Sequence, residues 1–201
     1  DPKSRFHSVY GSSGMVVSQE ILASTVGAEI LSQGGNAIDA AVATGFALAV
    51  TLPRAGNLAG GGFMMVYLAD KEKTIALDYR EMAPSGATRD MFLDAQGDVD
   101  NQRARFSINS SAVPGTVAGL LHAHKEYGSL SLSKVINPAI KLAKSGFDVS
   151  VDLSTSLQSR ASRLSKNKAS RGYFYKKNGD LYQPGEKFVQ SDLAATLRRI
   201  R

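Results

Sequence analysis

The chain has 201 residues and a mass of 21.4 kDa, and its 43% hydrophobic and 21% charged content is that of a globular chain of one domain or two with enough apolar material for a sizeable core. The longest apolar run of the first half, residues 40–50, falls well short of the roughly 20 residues that cross a bilayer, and the absence of cysteine excludes disulfides, thiolate catalysis and Cys-based metal sites. The formal charge of +6 is concentrated at one end: residues 1–150 carry thirteen Lys plus Arg against fourteen Asp plus Glu, and residues 151–201 carry eleven against four.

At the N-terminus, residues 1–5 do not lead into an apolar run, so no export leader is legible, although one already removed would leave the same picture. Ser18 is placed to cap a helix whose Leu22, Val26 and Ile30 share one face, with Gly34-Gly35 as its stop. Asn36 follows as the cap of a second helix over residues 37–50. That helix is almost wholly apolar or glycine, so neighbours must enclose it on every side. Asp39 in its first turn suits the positive end of the helix dipole. Leu52-Pro53 ends the helix, and residues 55–62 form a loop with four glycines. Arg54, beside that loop, is a candidate support for it.

Residues 63–68 and 74–79 read as the strands of a hairpin turning at residues 70–73. Arg80 then emerges at a strand end just before Pro84, where a sheet edge meets a loop, a common location for a binding residue. Thr88 reads as the cap of a helical turn over Met91, Phe92 and Leu93, followed by a turn at Gln96-Gly97 and a polar stretch to Arg105. Pro114-Gly115 opens a helix over residues 116–127, closed by Gly128. Asn137-Pro138 reads as a cap with proline in the first turn of a helix over residues 139–145, stopped by Gly146. A further helix is expected over residues 151–165, then strand-like pieces around Phe174 and Leu181 with turns at Asn178-Gly179 and Pro184-Gly185. The helix from Asp192 to Arg201 has no visible stop, which suggests a fragment.

Local motifs exclude more chemistry than they assign. The glycine loop runs from helix to strand and continues as Phe63-Met64 where a phosphate-cradling loop needs lysine and a hydroxyl residue, so nucleotide binding is disfavoured. Gly11-Ser12-Ser13-Gly14 lacks the strand-to-helix setting of a nucleophile elbow. No paired carboxylates stand in apolar surroundings. Asn109-Ser110-Ser111 fits a glycosylation sequon, a match short enough to arise by chance. Of the three histidines, His7, His122 and His124, the last two point about 200° apart on a helix, which argues against a shared metal. Arg160, Arg163, Lys166, Lys168, Arg171, Lys176 and Lys177 follow one another with no acid between them. The run reads first as a solvated face or one meeting an acidic partner. Nucleic-acid binding is the sharper alternative, but Tyr173, Phe174 and Tyr175 are its only close aromatics and no recognition signature accompanies them.

Four ordered segments carry a resemblance: residues 34–41 (Gly-Gly-Asn-Ala-Ile-Asp-Ala-Ala), residues 55–63 around the glycine loop, residues 78–84 (Asp-Tyr-Arg-Glu-Met-Ala-Pro) and residues 114–119 (Pro-Gly-Thr-Val-Ala-Gly). In order and spacing the chain resembles the large subunit of γ-glutamyltranspeptidases along essentially its whole length. It departs at Ala59, where bacterial relatives commonly carry a further glycine. The resemblance implies an α+β fold, a four-layer αββα sandwich of the N-terminal-nucleophile hydrolase type, with residues 1–201 as the N-terminal portion of the large subunit, one domain completed by segments outside this chain. It implies a precursor that cleaves itself, and a nucleophilic threonine at the start of the small subunit. That threonine attacks the γ-glutamyl amide of glutathione or a similar donor and passes the acyl group to water, an amino acid or a peptide.

No segment here resembles the start of the small subunit, so no catalytic residue is assigned and the chain alone is expected to be inert. Arg80 matches the family arginine that binds the α-carboxylate of the γ-glutamyl group; the alternative is a structural ion pair with Asp78, Glu81 or Asp90. Neither metal nor organic cofactor is implied, and a periplasmic or secreted location follows from bacterial relatives. Two other readings stay open: a related acylase or poly-γ-glutamate transferase, and a non-catalytic anion- or nucleic-acid-binding protein using residues 160–177.

Overall fold

The computed structural model describes residues 8–201; His7 and the leader reading of residues 1–5 lie outside them. In chain order the elements are α1 (Ile21–Ser32), α2 (Ala37–Thr51), β1 (Phe63–Leu68), β2 (Lys73–Asp78), α3 (Asn101–Phe106), α4 (Thr116–Tyr127), α5 (Leu132–Ser145), β3 (Phe147–Asp148), α6 (Val151–Leu164), α7 (Lys168–Phe174), β4 (Lys187–Phe188) and α8 (Ser191–Ile200). Helices and small antiparallel sheets therefore coexist, and they condense into two compact units. One comprises residues 1–57 and 127–201, the other residues 58–126.

The larger unit is built around α2, which packs on α1 and on α5, while α5 packs on α8. Its interior holds Ile30 from α1, Val42, Phe46 and Val50 from α2, Val135 and Ile136 from α5, Leu197 from α8, and Phe188. Each such side chain contributes about 1.5–3 kcal/mol by leaving water. The expectation of an enclosed α2 is met on nearly every side, with Ala37 and Ala41 as the exposed exceptions. Close approach of α1 to α2 depends on Gly27, where a Cβ would collide with the Thr44 hydroxyl.

The start of α2 is fixed more elaborately than a dipole argument implies. Asn36 Oδ1 accepts from the Ile38 and Asp39 amides at 2.9 and 3.0 Å, and Asp39 Oδ2 accepts from the Asn36 amide at 3.0 Å, a reciprocal capping box. The fully buried Asp39 also accepts from the Ser129 hydroxyl at 2.6 Å and from the Ser129 and Leu130 amides at 3.1 and 3.2 Å. Asn36 Nδ2 donates to the Tyr127 carbonyl at 2.7 Å. One carboxylate thus welds the head of α2 to the loop entering α5. Burial alone would push its pKa up, but the hydrogen bonds led by the Ser129 hydroxyl outweigh it and hold the group below the usual aspartate value.

Several boundaries differ from those the sequence suggests. α1 is capped by Glu20, whose carboxylate accepts from the Ala23 amide at 3.0 Å, while Ser18 shares a 2.7 Å hydroxyl contact with Ser24. α5 begins at Leu132, so Asn137 and Pro138 lie inside it. Proline forfeits one backbone bond there, but Val135, Ile136, Ala139, Ile140 and Ala143 bury one whole side of the helix, and that packing outweighs the loss. Phe174 ends helix α7 instead of forming a strand; Asn167 caps that helix by accepting from the Ser170 amide at 3.0 Å. Residues 88–93 make turns and no helix, whereas the polar stretch holds α3, capped by Asp100 through the Gln102 and Arg103 amides at 2.9 and 3.0 Å. The strand pair β3–β4 escapes sequence reading because each strand is two residues long.

Candidate binding site around Arg80

The smaller unit carries the candidate site. β1 and β2 form an antiparallel hairpin in the register Phe63↔Asp78 to Leu68↔Lys73, one residue earlier at both ends of β2 than the sequence suggests. The ladder continues past the strands, since the Tyr79 amide donates to the Gly62 carbonyl at 3.1 Å. Three residues on, Met82 bridges Val113, with amide-to-carbonyl distances of 3.1 and 2.8 Å in the two directions. Arg80 and Glu81 therefore span a short stretch pinned at both ends.

The glycines flanking this stretch explain its tightness. The Gly60 carbonyl accepts from the Gly115 and Thr116 amides at 2.8 and 2.9 Å, which ties the glycine loop to the first turn of α4. A Cβ on Gly115 would strike the Tyr79 carbonyl oxygen, and one on Gly119 would strike the Tyr79 ring. Gly61 likewise leaves no room for a Cβ against the Glu81 backbone. Backbone meets backbone here, as only glycine permits. The half-buried Tyr79 is wedged in the middle, and burial pushes its phenol pKa up.

Against this fixed frame the Arg80 side chain is exposed. The Asp78 carboxylate turns back to accept from the Arg80 amide at 3.0 Å and does not face the guanidinium. Asp90 lies 3.6 Å from Arg89. Among the described residues the guanidinium of Arg80 enters no ion pair, so the structural pairing with Asp78, Glu81 or Asp90 is not what this fold forms. An exposed arginine on a backbone pinned at both ends, with no ion pair among the described residues, is suited to a planar carboxylate through two parallel hydrogen bonds.

Arg54 does not support the glycine loop. Its Nε donates to Asp152 at 3.1 Å, which joins the end of α2 to the first turn of α6. His122 is exposed and His124 half-buried on α4, and among the described residues no group of three or more His, Asp or Glu stands close enough to hold a metal.

A family profile described as Gamma-glutamyltranspeptidase matches residues 23–201. The chain belongs to the γ-glutamyltranspeptidase family. It is 47% identical over 195 residues to the glutathione hydrolase proenzyme of Escherichia coli (strain K12), covering 97% of this chain and 33% of that protein. The structure of Helicobacter pylori γ-glutamyltranspeptidase superposes with a TM-score of 0.93 at 46% identity, covering 96% of this chain and 55% of that one. The Acylase ACY 1 proenzyme of Pseudomonas sp. (strain V22) is 39% identical over 196 residues, 94% of this chain and 35% of that protein. The chain spans about a third of the length of the curated relatives it matches. The sequence of this γ-glutamyltranspeptidase chain points to Arg80 as a candidate, but not to the anchors on either side of it, Tyr79 and the Met82–Val113 bridge. The signal for them was the Gly115/Gly119 pair, one just before α4 and one in its first turn, in a chain that also holds Gly60-Gly61-Gly62.

Proposed function

We propose that this chain is the N-terminal part of the large subunit of a γ-glutamyl-transferring enzyme, a glutathione hydrolase, and that Arg80 holds the α-carboxylate of the γ-glutamyl donor. The observation that carries the reading is the exposed guanidinium of Arg80, without an ion pair among the described residues, on a backbone pinned at Tyr79 and Met82. A pre-positioned fork loses little freedom on binding, which favours affinity for the donor. The bond-making group lies outside these residues: an N-terminal threonine of the small subunit, whose free amine serves as base for its own hydroxyl. It attacks the γ-glutamyl amide, the amine half of the donor leaves, and the acyl group passes to water, an amino acid or a peptide.

The complete fold in this reading is the four-layer αββα sandwich. The hairpin supports it by leaving Phe63, Met65 and Tyr67 exposed along one face, apolar surface of the kind a further layer would cover. Cleavage of a precursor into two subunits and a periplasmic or secreted location are parts of the same proposal, drawn from the family.

In the processed enzyme, Arg80→Lys is expected to raise the donor KM with little change in kcat, because lysine keeps the charge but not the fork. Arg80→Ala is expected to cost on the order of 2–5 kcal/mol in kcat/KM, as for a truncated ion pair buried under substrate. Steady-state hydrolysis of a chromogenic γ-glutamyl donor checks both. Unchanged donor kinetics in Arg80→Ala would remove Arg80 from the site. Intact mass measurement with N-terminal sequencing tests the subunit proposal, which expects a second polypeptide beginning with threonine.

A further inference from the structure

The basic C-terminal region has a structure that the proposed activity does not use. On α6, the residues Asp152, Thr155, Ser156, Ser159, Arg160 and Arg163 recur at spacings of three, one, three, one and three, which places them on a single stripe along the helix. With Arg54 and Leu164 they line an open trough of about 500 Å³. From Asp152 to Arg163 the stripe runs about 16 Å at the helical rise, the length of roughly five extended residues. Every side chain along it is polar. Its one carboxylate, Asp152, is already bonded to Arg54, so the trough presents hydroxyls at its centre and the exposed Arg160 guanidinium toward the end of the helix.

Beside the trough lies a second, smaller cavity of about 160 Å³ lined by Pro53, Leu153, Leu157 and Phe174, with Arg54, Ser156, Arg160 and Leu164 shared between the two. The helix carrying the stripe is held firmly. Ser150 caps it by accepting from the Leu153 amide at 3.1 Å, the buried Ser154 hydroxyl donates to the Tyr182 carbonyl at 3.1 Å, and the Tyr175 hydroxyl donates to the Ala161 carbonyl at 2.7 Å. These ties also decide against a nucleic acid. Tyr173 is bonded to Gln190 at 2.7 Å, Phe174 packs on Phe188 and Tyr175 is bonded to α6, so the three half-buried aromatics do not form an exposed row on which successive bases could stack.

We propose that the α6 trough docks an extended acidic peptide, a carboxylate on Arg160, its backbone on the hydroxyls of Thr155, Ser156 and Ser159, and one apolar side chain in the adjoining cavity. Lys166, Lys168 and Arg171, just beyond the trough and with no ion pair among the described residues, steer the peptide to it.

The probe is a fluorescein-labelled pentapeptide of four glutamates around a central leucine, titrated by fluorescence anisotropy against the protein carrying this chain. Saturable binding is expected at low salt, weakening as added salt screens the charges. Arg160→Glu is expected to weaken it roughly tenfold or more, the scale of removing one charge-assisted hydrogen bond and adding one repulsion, and to acquire affinity for the matching lysine peptide. Because Arg160 is exposed, the variant folds, and an unchanged melting temperature documents that. Absence of binding at low salt, equal binding by Arg160→Glu, or an oligothymidylate of equal charge binding as tightly as the acidic peptide would each overturn the proposal.

Discussion

The head of α2 and the Arg80 segment answer the same problem, placing a charged side chain, in opposite ways. Asp39 is fully buried and accepts from Asn36, Ser129 and Leu130, so its charge is consumed in holding chain segments together. Arg80 is exposed and its guanidinium enters no ion pair among the described residues, while the backbone beneath it is fixed by Gly62 and Val113 through its neighbours Tyr79 and Met82. In the first region the charge makes the structure; in the second the structure is made without the charge. A side chain whose removal costs the fold little is free to be spent on a ligand.

The contrast is broken most severely at Asp39. Asp39→Ala removes the acceptor shared by the Asn36, Ser129 and Leu130 amides and the Ser129 hydroxyl and is expected to cost on the order of 2–4 kcal/mol, the scale for losing hydrogen bonds to a charged group. Urea unfolding measures it. The pKa of Asp39 is held below its ordinary value, so its contribution is present above the unfolded aspartate range and is lost as pH falls through the lower, folded value. An acid titration of stability should show that loss in the parent and not in Asp39→Ala.

Next in size is the frame beneath Arg80. Gly119→Ala drives a methyl into the Tyr79 ring and is expected to cost about 1–3 kcal/mol, with donor affinity falling alongside stability because the whole segment shifts. Calorimetry and donor kinetics on the same variant test the coupling.

Tyr173 offers a smaller check on the larger unit. Burial first, and then the nearby Asp192 carboxylate, push its phenol up to about 12, so the folded state keeps a proton that the unfolded chain releases near 10. The stability it contributes is complete below pH 10 and is lost between there and about 12. Tyr173→Phe is expected to cost about 1 kcal/mol at neutral pH by ending the bond to Gln190, and to remove that alkaline step. Melting curves across the range read both effects.

At the small end, Arg80→Ala is expected to change unfolding free energy by less than about 0.5 kcal/mol, as for an exposed residue outside any cap or network.

How far the sequence discloses this follows from the range of each interaction. The cap at Asn36, the hairpin and the α4 start at Pro114-Gly115 are set by neighbours a few residues apart, and they are legible. Asp39 is legible as a helix-start acid, but its partners Ser129 and Leu130 lie some 90 residues away in sequence. The start of α5 is misread because Pro138 is a strong local signal, whereas the buried stripe of Val135, Ile136, Ala139 and Ala143 acts through contacts with α2 and α8. Arg80 is singled out as a candidate by its position after a strand and by the motif around it. That its guanidinium is spared an ion pair, and that the basic run from Arg160 continues a polar trough, required coordinates.

The most direct test of the central claim pairs two donors with two proteins: a γ-glutamyl amide and its analogue lacking the α-carboxylate, each assayed with the processed enzyme and with Arg80→Ala. The account predicts that the parent strongly prefers the carboxylate-bearing donor and that Arg80→Ala loses most of that preference while its melting temperature stays unchanged. A preference that survives intact in Arg80→Ala would contradict it.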